Sequence, residues 1–157
     1  MAVATDKDSR RRTLRFASFD ELAAELDRLA ASPVRQLGNW TLGQICRHLA
    51  VSFNSSIDGY AFRAPWLVRT LGPLLKGRYL RKPMPSGFKL PQYAQKSLLP
   101  PAVDDAEGVN ELRGAIARQM RESHRAPSPI FGAMTRDEWT QLHLRHAELH
   151  LSFVEPL

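Results

Sequence analysis

Thr135-Arg136-Asp137-Glu138-Trp139-Thr140-Gln141-Leu142-His143-Leu144-Arg145-His146-Ala147-Glu148-Leu149-His150-Leu151-Ser152-Phe153 reads as one helix. Thr135 can accept a hydrogen bond from the amide three residues on, and Glu138 can return it, which satisfies two orphan donors of a helix start. Trp139, Leu142, Leu149 and Phe153 then recur at helical spacing and are expected to face a core. The same start signature occurs three more times: Ser18 with Glu21, Thr41 with Gln44, and Asp104 with Glu107. These predict helices over residues 18–31, 41–59 and 104–124. Their inward residues are Leu22, Leu26 and Leu29; then Leu42, Ile45, Leu49, Phe53 and Ile57; then Val109, Leu112, Ile116 and Met120. Trp40 can staple the start of the second helix against Ile45. Pro33 ends the first helix, and Pro127 and Pro129 follow the third. Four capped, amphipathic segments predict an all-α fold, a four-helix bundle.

Residues 61–103 separate the second and third of these helices. They hold seven of the eleven prolines and eight Lys or Arg, with no Asp or Glu. Residues 66–75 can form a short helix broken at Pro73; the rest reads as a long extended crossover loop. One long connection is compatible with a four-helix bundle.

The chain has 157 residues, enough for one domain with its own core. The single cysteine, Cys46, excludes an intramolecular disulfide and any Cys-rich zinc module. Cys46 sits on the apolar stripe of its helix and reads as a small core residue rather than a nucleophile. No apolar run approaches the ~20 residues of a membrane span, so no membrane partner is expected. Arg10, Arg11 and Arg12 suggest a twin-arginine signal, but no apolar stretch follows them. A cytoplasmic protein is expected, with a disordered basic head over 1–15 and a bundle domain over 16–157. The net charge of +6 and pI near 10.0 admit an anionic partner.

The last helix carries His143, His146 and His150. His146 falls inside the apolar stripe, His150 at its edge and His143 further out. His146 and His150 lie one turn apart and can grip one ion, or be a hydrogen-bonded core histidine and a surface one; His143 in place of His150 is the alternative ligand. Ala147 stands where a zinc-protease helix needs its glutamate, and Glu148 is expected on the solvent side, which argues against peptidase chemistry. His48 lies roughly 120° from the centre of its helix's apolar stripe, on a small polar face with Ser52, Ser55 and Gly59. That face can line a wet pocket or face solvent, and periodicity alone favours solvent. His124 is expected in the last turn of the third helix, complementing its dipole.

Gly38-Asn39-Trp40-Thr41-Leu42-Gly43-Gln44-Ile45-Cys46-Arg47-His48-Leu49-Ala50, then Ser56-Ile57-Asp58-Gly59, resembles the family of domain of unknown function 1569, within the DinB/YfiT-like superfamily. The resemblance continues in residues 84–91, 131–139 and 143–153. It implies a DinB-like bundle with up-down-down-up helices. It also implies a divalent metal held by His48, His146 and His150. Leu149 and Ser128 stand where relatives often carry histidine. Zinc, nickel or iron fits three imidazoles with open positions.

Some superfamily members are thiol-dependent transferases or isomerases, which implies a low-molecular-weight thiol as co-ligand. Metal-activated water is the other chemistry such a site supports. The rival readings are a non-enzymatic metal-binding or interaction bundle, and a nucleic-acid binder using the basic crossover. The crossover is expected to favour an anionic small molecule over nucleic acid. A homodimer is compatible with the sequence.

Overall fold

The computed structural model describes residues 11–157. Among these are six helices and one two-stranded sheet. The elements run α1 (Phe19–Ala30), β1 (Val34–Gln36), α2 (Leu42–Asp58), α3 (Trp66–Arg81), α4 (Gln92–Leu98), α5 (Asp105–Arg121), α6 (Arg136–Leu151) and β2 (Val154–Pro156). The strands pair antiparallel, with Arg35 opposite Glu155. They tie the chain after α1 to the chain after α6.

The bundle consists of α1, α2, α5 and α6, the four helices expected from the caps. Their common core holds Leu22, Leu26 and Leu29, Ile45, Leu49 and Phe53, Val109, Leu112 and Ile116, and Leu144, Ala147 and Leu151. Contacts at the helix ends fix the directions. The Gly43 amide at the start of α2 donates to Asp105 at the start of α5 (2.7 Å). At the far end of both helices, Arg118 grips Asp58 with two bonds. The two helices therefore run parallel. On α6 the order is reversed: His48 meets His146, whereas Ser56, two turns on, meets His143. Phe19, at the start of α1, packs on Phe53, near the end of α2 (ring centroids 5.9 Å). The order is up-down-down-up. A parallel neighbour cannot follow a short turn, because the chain must first return the length of the bundle; this is the physical need for the long crossover.

The parallel pair is closely packed at its start. A Cβ on Gly108 would lie 2.3 Å from the Gly43 carbonyl oxygen, and one on Gly43 2.6 Å from the Val103 oxygen. Both are too short for a real contact, so the two backbones touch where the side chains are absent.

The crossover departs from the extended loop expected. Helix α3 continues through Pro73 to Arg81, and α4 adds a second helix. Pro73 is exposed, so its missing amide leaves no buried acceptor behind. Neither helix has a side-chain cap, which removes the start signal on which the other assignments rest. Residues 82–91 remain irregular, as expected.

Three other expectations need correction. The Asp104 cap bond does not form. Its acidic neighbours serve α2 instead: Asp105 caps Gly43, and Glu107 pairs with Arg47 at 2.6 Å. Helix α5 stops at Arg121, so His124 lies beyond it in the exposed connection and not in its last turn. Met120 is 49% exposed, and Gln119 fills the core position, donating to the Phe53 carbonyl. At the other starts, Thr41 and Thr135 form complete capping boxes. Ser18 accepts from Glu21, but the Glu21 carboxylate turns to the Ala17 amide.

Residues 1–10, most of the expected basic head, lie outside the described residues. Arg12 already engages the body: its backbone amide donates to Ser152, and its guanidinium to Val154 and Glu25. The described chain thus meets the bundle ahead of the boundary expected at residue 16.

Gly108→Ala should destabilise the fold by about 1–3 kcal/mol through overpacking. Urea titration of the variant would measure this. An unchanged midpoint would mean that α2 and α5 separate without loss.

Candidate metal centre

Helix α2 is the middle of the molecule, and its polar face is covered rather than solvated. His48 is 4% exposed, against the expectation that its face meets solvent. Ser52 and Ser56 are buried beside it. Helix α6 and the end of α4 supply the cover. The His48 Nδ1–H donates to the Leu98 carbonyl at 2.7 Å. A carbonyl only accepts, so the proton sits on Nδ1 and the lone pair on Nε2.

That Nε2 lies 3.1 Å from His146 Nε2, and His146 Nε2 lies 3.1 Å from His150 Nε2. All three ligand atoms fall within 4.8 Å of one another. Trp40 stacks on the His150 ring (5.4 Å, 15°) and leans on His48 (5.0 Å). It packs against the core, where a staple was expected, and in addition closes one side of the cluster. His146 and His150 keep part of their surface accessible.

The convergence has a chemical consequence. One ring nitrogen carries either one in-plane proton or one in-plane lone pair. His146 Nε2 faces two other ring nitrogens, so at most one of the two 3.1 Å contacts is a linear hydrogen bond. A cation among the three nitrogens satisfies every lone pair at once. The donor set fits: neutral imidazoles suit zinc, nickel or iron. The buried His48–His146–His150 group can hold a metal ion.

Burial holds these rings neutral. It lowers His48 to about 4 and takes His146 and His150 well below the usual range, with the neighbouring imidazoles pushing the last two further.

His143 belongs to a different network. It is 1% exposed, packed between Phe53 (4.2 Å) and Trp139 (5.2 Å). The Ser56 hydroxyl donates to the Phe53 carbonyl and accepts from Gln119. Its remaining acceptor site takes the His143 Nε2–H at 2.9 Å. That nitrogen is therefore spoken for within the core. Burial lowers this ring to about 3.

The expected burial of α6 is only partly met. Leu142 and Leu149 are half-buried, and the deepest apolar residues are Trp139, Leu144, Ala147 and Leu151. Glu148, expected on the solvent side, is 5% exposed. It accepts from the Phe16 amide (2.7 Å) and pairs with Arg145 (2.7 Å), itself 1% exposed. Arg145 also donates to the Phe16 carbonyl. The segment before α1 seals this face, and no sequence period signals it. Glu148 is thus committed to structure and is no general base for the cluster. Cys46 is fully buried, and burial pushes its thiol up to about 12.

In an unfolded chain the imidazoles take up protons near pH 6.5. In the fold His48 does so near 4 and His143 near 3. Between these limits the unfolded state binds more protons, so stability is complete above about 6.5 and falls as the pH drops towards 4 and below. Metal-free protein should lose up to about 1.4 kcal/mol per pH unit for each such ring. Urea midpoints from pH 7 to 4 would reveal it; a flat profile would contradict burial of neutral histidines. His48→Ala, His146→Ala and His150→Ala should each weaken metal binding by more than the roughly 10–100-fold typical of losing a supporting partner. His143→Ala should destabilise the fold yet leave metal per folded chain unchanged, as elemental analysis of untagged protein would measure.

Comparison with known proteins gives one family. The family model described as "Protein of unknown function (DUF1569)" matches residues 8–157. No curated protein and no solved structure matches the chain. The match spans the four bundle helices, the crossover and all three clustered histidines, and the chain belongs to this family.

Proposed function

We propose that the protein is a metal-dependent enzyme of the DinB/YfiT-like kind, in which His48, His146 and His150 hold one divalent ion that activates a low-molecular-weight thiol for transfer. The observation that supports the metal is the pair of 3.1 Å contacts at His146 Nε2, which one proton cannot serve; the thiol chemistry rests on the resemblance to the superfamily. The parallel central helices and their long crossover support the superfamily assignment.

When bound, a zinc, nickel or iron ion supplies Lewis acidity, lowering the pKa of a thiol or water ligand beside it. The chain's own residues do the rest. Leu98 fixes the His48 tautomer, so that Nε2 is free as a donor atom. Trp40 shields His150 and holds its ring plane. Three protein ligands leave coordination positions for a small molecule, whereas a structural zinc is usually fully ligated. The thiol must come from outside, because Cys46 is the chain's one cysteine and is buried and protonated. The +6 net charge favours an anionic substrate or thiol at such a site. A lone unpaired cysteine suits the reducing cytoplasm.

Cobalt-loaded protein titrated with small thiols should develop an intense near-ultraviolet sulfur-to-cobalt charge-transfer band. His48→Ala protein should lack it. Cobalt binding without that band would remove the thiol and leave activation of water as the chemistry of the site.

A further inference from the structure

Helix α3 turns its apolar residues outward. Trp66 is 74% exposed, Leu67 52%, Leu71 49%, Leu74 81% and Leu75 52%. At ~100° per residue, the four leucines fall within an arc of roughly 100°, with Trp66 roughly 80° beyond it. The opposite side is the one that packs. There a Cβ on Gly72 would lie 2.1 Å from the Ile130 carbonyl oxygen, Lys76 pairs with Glu138 at 2.8 Å, and Tyr79 meets Phe131. The outward stripe is thus a consequence of how α3 docks, and no other described element covers it.

Cations surround the stripe. Arg78, Arg81 and Lys82 continue it at the C-terminal end of the helix, and Arg63, Arg69, Lys89 and Lys96 flank it in sequence, all exposed. No Asp or Glu occurs from residue 61 to 103. Among the described residues, Lys76 alone of the eight cations forms an ion pair.

We infer that the outer face of α3 is a docking surface for an anionic lipid bilayer, on which the helix lies in the plane of the headgroups. Exposed leucines and a tryptophan reach the acyl boundary, while adjacent Arg and Lys meet acidic headgroups. Charge complementarity selects this occupant. A symmetric contact with a second copy would bring like-charged, acid-free surfaces together. A nucleic acid would neutralise the cations but leave the leucines in water. The expectation of no membrane partner rested on the lack of a spanning segment. No helix among the described residues is long and apolar enough to cross a membrane. Interfacial binding needs none. The surface does not depend on the metal reading.

Flotation of the full chain with vesicles tests this, using phosphatidylcholine alone and phosphatidylcholine mixed with phosphatidylglycerol. The protein should float with the anionic vesicles, weakly or not at all with the neutral ones, and less at raised salt. Trp66 emission should shift to the blue on binding, and Trp66→Phe should abolish that shift. Leu71→Glu with Leu74→Glu should lower the bound fraction at least ten-fold while helicity stays unchanged, since both side chains are exposed. Arg78→Gln and Lys82→Gln should each lower partitioning about five-fold. Failure to float with anionic vesicles would overturn the inference. So would flotation indifferent to Leu71→Glu with Leu74→Glu. A solution dimer that this double variant dissociates would assign the face to a second copy instead.

Discussion

The contact between Gly43 and Gly108 determines where everything else can sit. With no side chain between them, α2 and α5 approach until backbone meets backbone, and their parallel direction is pinned by Asp105 at one end and Asp58 at the other. Parallel neighbours require a long return path, so the crossover is a product of this packing. With α5 occupying one side and α1 diagonally across the core, the polar face of α2 is left to α6 and the end of the crossover. A polar face that would otherwise be solvated is thereby taken inside.

Interior polar groups are tolerated only when they find partners. Two networks meet most of this demand, although Gln119 Oε1, Arg145 Nε and Glu148 Oε2 lack a hydrogen-bond partner among the described residues. Ser56 gathers His143, Gln119 and the Phe53 carbonyl into one network, and Arg145 with Glu148 clamps both backbone groups of Phe16. The His48–His146–His150 group is different, because its ring nitrogens have mainly one another. Removal from water keeps them neutral, which is the state a metal ligand needs. The fold has thus brought three ring nitrogens together, with Leu98 fixing the His48 tautomer and Trp40 stacked on the His150 ring.

The two halves of the crossover have opposite characters. Its end, at Leu98, turns inward and completes the histidine cluster. Its beginning, α3, uses Gly72, Lys76 and Tyr79 to dock and leaves its leucines outside. The outward leucines lie beside cations that form no ion pair among the described residues, on an element from which no contact to the cluster is seen.

Local sequence encodes the four bundle helices, because cap residues and apolar period are read over a few residues, even at Asp104, where the cap bond does not form. It also offers the pair His146 and His150, which one helical turn places together, while leaving His143 as an alternative to His150. His48 was reached through family resemblance, since its own helical phase pointed to solvent. Packing between distant segments buries this phase, brings Glu148 inside against Phe16 and gives His143 to Ser56. The same holds for α3, whose start carries no side-chain cap and whose Pro73 mimics a break. Each of these depends on which neighbour covers a given face. Coverage is set by contacts between residues far apart in the chain, such as Gly43 with Gly108 or His48 with His146, and no local period encodes them.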